Sequence, residues 1–209
     1  MNIQSTFDYI LKIVIVGESG VGKTNFLFRF VEGHFSRTYQ STVGLDYKSK
    51  MCTLPRSKKH VKLQLWDTAG QERYMSVTKI FFQKVQGIVL MYDITNRQSF
   101  ERLPKWVQLI NEGTYNIPVI LIGNKLDDEN ENRIVRKEEG KEFAKENGYL
   151  FYEASALNGK NVNNAFYDLS ETIISSLEVS LQINASTSLN EYFSIKQKKK
   201  PKERYEKCC

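Results

Sequence analysis

The sequence predicts an α/β fold: a mainly parallel sheet of about six strands, one of them antiparallel, with helices on both faces. Three observations predict it. Apolar, β-branched runs alternate with amphipathic helical ones along residues 1–178. The runs at 45–54 and 61–67 are joined only by Pro55-Arg56-Ser57-Lys58-Lys59-His60, too short for a parallel crossover, so they form a hairpin. The runs at 87–92, 117–122 and 149–152 are almost continuously hydrophobic, as strands covered on both faces must be.

The elements follow in chain order. Leu11-Lys12-Ile13-Val14-Ile15-Val16 is the first buried strand, and the segment from Asn25 to Val31 reads as a helix. Between them stands Gly17-Glu18-Ser19-Gly20-Val21-Gly22-Lys23-Thr24, a G-x-x-x-x-G-K-[ST] phosphate loop in the strand-to-helix context its chemistry needs. This is the signature of the P-loop NTPase fold. Gly20 and Gly22 allow the backbone to curl so that successive N–H groups meet phosphate oxygens, aided by the positive end of the helix dipole. Residues Ser19, Gly20, Val21, Gly22, Lys23, Thr24 and Asn25 form the expected cradle. Lys23 is expected on the β- and γ-phosphates, where it also has a catalytic role, and the Thr24 hydroxyl on Mg²⁺. A tight turn with a chance lysine is the plain alternative.

The second hairpin strand ends in Asp67-Thr68-Ala69-Gly70-Gln71-Glu72. A carboxylate at that strand end, Asp67, is placed to organise Mg²⁺. Gly70 offers a backbone N–H to a γ-phosphate, and Gln71 donates and accepts hydrogen bonds, as a residue orienting an attacking water must. As a bare string, D-x-x-G is only a turn. Helices are expected at 97–111, 136–147 and 161–178, the last with Val162, Ala165, Phe166, Leu169, Ile173 and Leu177 on one face.

Asn124-Lys125-Leu126-Asp127 follows the fifth strand. The Asp127 carboxylate accepts the paired N–H donors that guanine presents at N1 and N2 and adenine lacks. Asn124 and Lys125 are expected to tie this loop to the phosphate loop and to pack along the base. Ser155-Ala156, after the last strand, offers a backbone N–H to the guanine oxygen, although alone that dipeptide carries almost no information. Ligands in such sheets bind beyond the carboxyl ends of the strands, where all four motifs lie.

Composition limits the function classes. Of the net charge of +6, residues 196–209 carry seven Lys/Arg against two Glu, leaving the rest of the chain nearly neutral. A nucleic-acid-binding face on the domain is therefore not expected. Three cysteines, two of them Cys208 and Cys209, provide no disulfide framework, and Cys52 reads as an ordinary half-buried residue. An intracellular chain without signal peptide or membrane span is expected. From about residue 180 the composition shifts to Ser, Asn, Thr, Gln and Lys, so 1–178 is expected to be the domain and 179–209 a disordered tail.

The ordered conjunction of phosphate loop, D-x-x-G, N-K-x-D and S-A resembles the Ras-superfamily small GTPases over roughly residues 9–178. Within that superfamily the chain resembles a Rab, through Val43-Gly44-Leu45-Asp46-Tyr47, Lys62-Leu63-Gln64-Leu65-Trp66, Arg73-Tyr74-Met75-Ser76-Val77-Thr78 and Leu90-Met91-Tyr92-Asp93-Ile94-Thr95. The resemblance implies that Phe35 packs against the base, that Thr42 ligates Mg²⁺ while GTP is bound, and that Tyr47, Trp66 and Phe81 form the aromatic cluster effectors read. It implies a switch that binds GTP and GDP with Mg²⁺ and hydrolyses GTP to GDP and phosphate in vesicle traffic. No internal arginine finger is apparent, so turnover is expected to be slow; an activating protein accelerates Ras about 10⁵-fold. Departures from the pattern are Lys84 where glycine is usual, a longer hairpin connection, Ser19 where Ras has glycine, and Leu157 in place of lysine beside the base.

Cys208-Cys209 is not a C-a-a-X box; it resembles the Rab substrate for double geranylgeranylation, with the basic run beside it adding attraction to an anionic surface. The implied partners are an exchange factor, a GTPase-activating protein, a GDP-dissociation inhibitor, an escort protein with geranylgeranyl transferase, and effectors. A monomer on the cytoplasmic face of a membrane, with a cytosolic pool, is expected. The alternatives are a nucleotide-locked scaffold that does not cycle, which intact Lys23, Thr42 and Gln71 oppose, and an ATP-dependent kinase, which Asp127 opposes.

Overall fold

In the computed structural model, residues 7–36, 45–68, 82, 84–114, 116–128 and 130–198 are described, Leu45 and 183–198 through their backbone only. The elements run β1 (Tyr9–Gly17), α1 (Lys23–Glu32), β2 (Leu45–Thr53), β3 (His60–Thr68), β4 (Gly87–Asp93), α2 (Arg97–Glu101), α3 (Leu103–Gly113), β5 (Val119–Asn124), a 3₁₀ turn (Leu126–Asp128), α4 (Lys137–Glu146), β6 (Leu150–Glu153) and α5 (Val162–Lys198).

The six strands form one sheet in the order β2-β3-β1-β4-β5-β6. Every pairing is parallel except β2 with β3, which run antiparallel in the register Tyr47↔Trp66 and Thr53↔His60. The expected mixed α/β sheet is therefore present, with its antiparallel strand at one edge. Strand β1 sends side chains alternately to two buried layers. Val14 and Val16 enter a cluster with Ile88, Leu90, Trp106 and Ile110. On α1, Phe26 and Phe30 meet Phe166 of α5, at ring-centroid distances of 5.4 and 4.1 Å. Helix α1 packs against β1, β2 and β3.

Two expected helices differ from the structure. The helix expected over 97–111 is broken at Arg102 into α2 and α3. Pro104, in the first turn of α3, lacks an N–H and its ring crowds the preceding turn, so a continuous helix cannot pass through it. The helix expected over 161–178 continues to Lys198. No Gly or Pro lies between Gly159 and Pro201, so no residue stops the backbone where the apolar periodicity fades. The backbone of α5 is helical as far as Lys198.

The chain divides into two units, residues 1–173 with the whole sheet, and residues 174–209 with the remainder of α5. In the first, the β2–β3 connection is pinned: Glu171 Oε1 accepts the backbone N–H of Arg56 at 2.9 Å and of Ser57 at 3.0 Å. Lys84 takes a left-handed φ of 58°. A left-handed φ strains any residue with a Cβ, so the glycine that the resemblance leads one to expect there would fit without cost.

Candidate nucleotide site

The phosphate loop begins where β1 ends. Gly17 has φ 142°, and a Cβ there would lie 2.3 Å from the Met91 carbonyl oxygen, so the parallel β1–β4 pairing requires glycine. Gly22, at φ 93°, is the N-cap of α1; a Cβ would sit 2.5 Å from Asn124 Nδ2. No side chain caps that helix, and its first turn contains no acidic residue. The opening N–H groups are left for an anion.

Lys23 is buried at the head of α1, its Nζ donating to the carbonyls of Gly17 and Glu18, each at 2.9 Å. Burial pushes its ammonium down to about 8, against the pull of the Asp67 and Glu18 carboxylates. A cation so desolvated gains strongly from an arriving phosphate. Thr24 Oγ1 donates to Asp67 Oδ2 at 2.5 Å. A hydroxyl and a carboxylate at one point beside a phosphate loop are hard oxygen donors and fit Mg²⁺, which takes few protein ligands and completes its shell with phosphate and water. Among the described residues no cluster of three or more His, Cys, Asp or Glu side chains offers an all-protein metal cage.

The base-side motifs converge on the same end of the sheet. Asn124, at the end of β5, donates from Nδ2 to the Val21 carbonyl at 2.8 Å and accepts at Oδ1 from the Ala156 N–H at 3.2 Å. One buried amide thus joins the phosphate loop, the N-K-x-D turn and the S-A loop. Lys125 pairs with Asp93 at 2.5 Å. Asp127 is exposed on the 3₁₀ turn, with Ser155 Oγ donating to its Oδ1. Leu157 is 40% exposed and Phe35 half-buried. Asn25 Oδ1 accepts the Ser36 N–H at 3.2 Å, tying α1 to the segment that carries Phe35. Tyr47 and Trp66 meet at 4.7 Å across β2 and β3. Thr42, Gly70, Gln71, Phe81, Cys208 and Cys209 lie outside the described residues.

Two groups of residues went unseen in the sequence. Arg29 donates to the carbonyls of Ala156 (2.8 Å), Leu157 (2.5 Å) and Gly33 (2.7 Å), bracing the S-A loop against α1. The Glu18 carboxylate accepts from Arg102 Nη1 at 2.8 Å and Trp106 Nε1 at 3.0 Å. No spacing rule reaches partners 84 and 88 positions away. A cavity of about 610 Å³ among Leu126, Arg133, Phe151 and Lys160 contains none of the residues expected to hold nucleotide.

The arrangement offers a polyphosphate cradle, a pair of hard oxygen donors and an exposed carboxylate for a base, all beyond the strand ends. Residues 12–175 match the pattern of the Ras family. Ras-related protein Rab-8A of Bos taurus is 39% identical over 204 residues, covering 97% of each chain. Rab-3A of Homo sapiens is 45% identical over 176 residues, 84% of this chain and 79% of the relative. Rab-3B of Mesocricetus auratus is 45% identical over 181 residues, 86% and 81% of the two chains.

Proposed function

Because the chain belongs to the Rab family of Ras-type small GTPases, we propose that it works as a lipid-anchored switch whose guanine-nucleotide state is read at a membrane. It binds guanine nucleotide, hydrolyses GTP to GDP and phosphate, and is of the Rab type that regulates vesicle trafficking.

The residue roles are our assignment. The loop amides and Lys23 hold the β- and γ-phosphates. Gln71 orients the water that attacks the γ-phosphorus as its bond to the β–γ bridging oxygen breaks. Negative charge passes to the β-phosphate, where Lys23 and the amides of residues 19–25 meet it. Thr24, Thr42 and Asp67 are the residues to hold Mg²⁺, which when bound neutralises phosphate charge. Phe35 and Leu157 flank the base, Asp127 reads its N1 and N2 donors, and Ala156 meets its oxygen. Loss of the γ-phosphate releases Thr42 and Gly70, and the segments near 35–47 and 68–82 relax. Effectors read Tyr47, Trp66 and Phe81, while an exchange factor and an activating protein set the cycle. An escort protein with geranylgeranyl transferase loads Cys208 and Cys209, and a GDP-dissociation inhibitor maintains a cytosolic pool. Among the described residues no helix is long and apolar enough to cross a membrane.

The observation that carries this reading is the Asn124 bridge, which brings the phosphate loop, the Asp127 turn and the Ser155-Ala156 loop to one site. A competition assay tests it. GTP and GDP should displace a fluorescent guanine nucleotide while ATP does not. Asp127→Asn, which presents a donor to guanine's donors, should weaken GDP binding by about 10²-fold or more. Equal displacement by ATP would sink the guanine assignment.

A further inference from the structure

We propose that Glu18 is a positioning residue, and that its grip by Arg102 and Trp106 sets how tightly the phosphate loop holds nucleotide. The inference rests on the reading of that loop as a nucleotide site.

Glu18 occupies the second position of the loop and is only 8% exposed. Each end of the residue is committed. Its backbone carbonyl accepts from Lys23 Nζ at 2.9 Å, and its two carboxylate oxygens divide between the Arg102 guanidinium and the Trp106 indole. Both donors come from one place, the junction where Pro104 separates α2 from α3. Trp106 is 2% exposed and is packed in the core cluster with Leu103 and Ile110, so its N–H is a fixed point. The carbonyl on which Lys23 rests is thereby referenced to the core through a side chain rather than through the loop's own backbone.

Charge makes the arrangement informative. A buried carboxylate beside a polyphosphate site repels the ligand unless it is neutralised. Arg102 supplies that neutralisation with a charge-assisted hydrogen bond, and the pair leaves Lys23 as the loop's cation toward phosphate. Removing Arg102 leaves a buried negative charge without its ion-pair partner, whereas removing the charge on Glu18 as well relieves the repulsion. A merely structural contact would not show that rescue.

The test is the dissociation rate of a fluorescent GDP from Mg²⁺-loaded full-length protein. Arg102→Met should accelerate release about tenfold or more, the loss of one charge-assisted bond to a buried carboxylate. Arg102→Lys should fall near wild type. Trp106→Phe, which stays aromatic but loses the donor and part of the core packing, should release nucleotide a few-fold faster. Adding Glu18→Gln to Arg102→Met should return the rate most of the way to wild type. Wild-type release rates in Arg102→Met, or a double variant no slower than the single one, would overturn the proposal. If Arg102→Met does not fold, the same comparison is made on Arg102→Gln, which is polar but uncharged, with Glu18→Gln as the second change. Wild-type protein that binds no GDP would instead overturn the nucleotide reading itself.

Discussion

Glu139 shows at residue scale how one side chain is worth more than its exposure suggests. Its carboxylate takes a bidentate pair from Arg97, at 2.7 and 3.2 Å, and caps α4 by accepting the Arg136 N–H at 3.0 Å. Those donors, Arg97 foremost, hold its carboxyl down at about 2, well below the ordinary 4.5. The unfolded chain therefore binds a proton at Glu139 before the folded one does. The stabilisation is fully present above pH 4.5 and is lost as pH falls toward 2. Glu139→Gln should cost stability at neutral pH, and the gap to wild type should close between pH 4.5 and about 2 in urea titrations. A gap independent of pH would show that the charge is not what matters. Lys84 is the opposite case, a residue whose oddity was visible in the sequence and whose left-handed φ of 58° is one that glycine adopts without strain.

The β2–β3 hairpin and α5 meet through Glu171, which accepts two consecutive turn amides at one carboxylate oxygen. The nearby Arg56–Asp168 pair, at 3.1 Å with side chains 64% and 33% exposed, is worth little by comparison, because water screens it. Glu171→Ala should cost about 1–2 kcal/mol in unfolding free energy. It should also raise amide exchange at Arg56 and Ser57, whereas Glu171→Gln, which keeps an acceptor oxygen, should preserve most of the protection. Unchanged exchange in the alanine variant would mean that the hairpin stands without the pin. At this scale the sequence was legible where a rule is local. The strands, the antiparallel hairpin and α4 follow from periodicity and connection length. The break at Arg102 had a local signal in Pro104, whereas the run of α5 to Lys198 had only the absence of a breaker.

For the whole molecule, the segment that matches the GTPase family and the proposed anchor occupy different parts of the chain. Residues 12–175 match the Ras family, while the basic run and Cys208-Cys209 lie beyond them. One lipid chain gives marginal membrane binding and two give stable anchoring. A tagged Cys208→Ser/Cys209→Ser variant should therefore become diffuse in cells while binding GDP as wild type does. Retention of the variant on membranes would defeat the anchoring proposal.

What the sequence determined by itself is everything written in short stretches: the glycine loop, the order of the four motifs, the strand-and-helix alternation and hence the family. These depend on neighbours within a few residues, where backbone sterics and side-chain period act directly. It takes the folded chain to show that Asn124 joins three loops, that Arg29 braces the Ser155-Ala156 loop, and that Glu18 is gripped from the α2–α3 junction. Those contacts join residues 84 to 127 positions apart, apart from the 32 between Asn124 and Ala156. They exist because the sheet order places β1 between β3 and β4, bringing the ends of distant strands together. A carboxylate in a glycine loop has no partner on paper; it acquires one when the sheet closes around it.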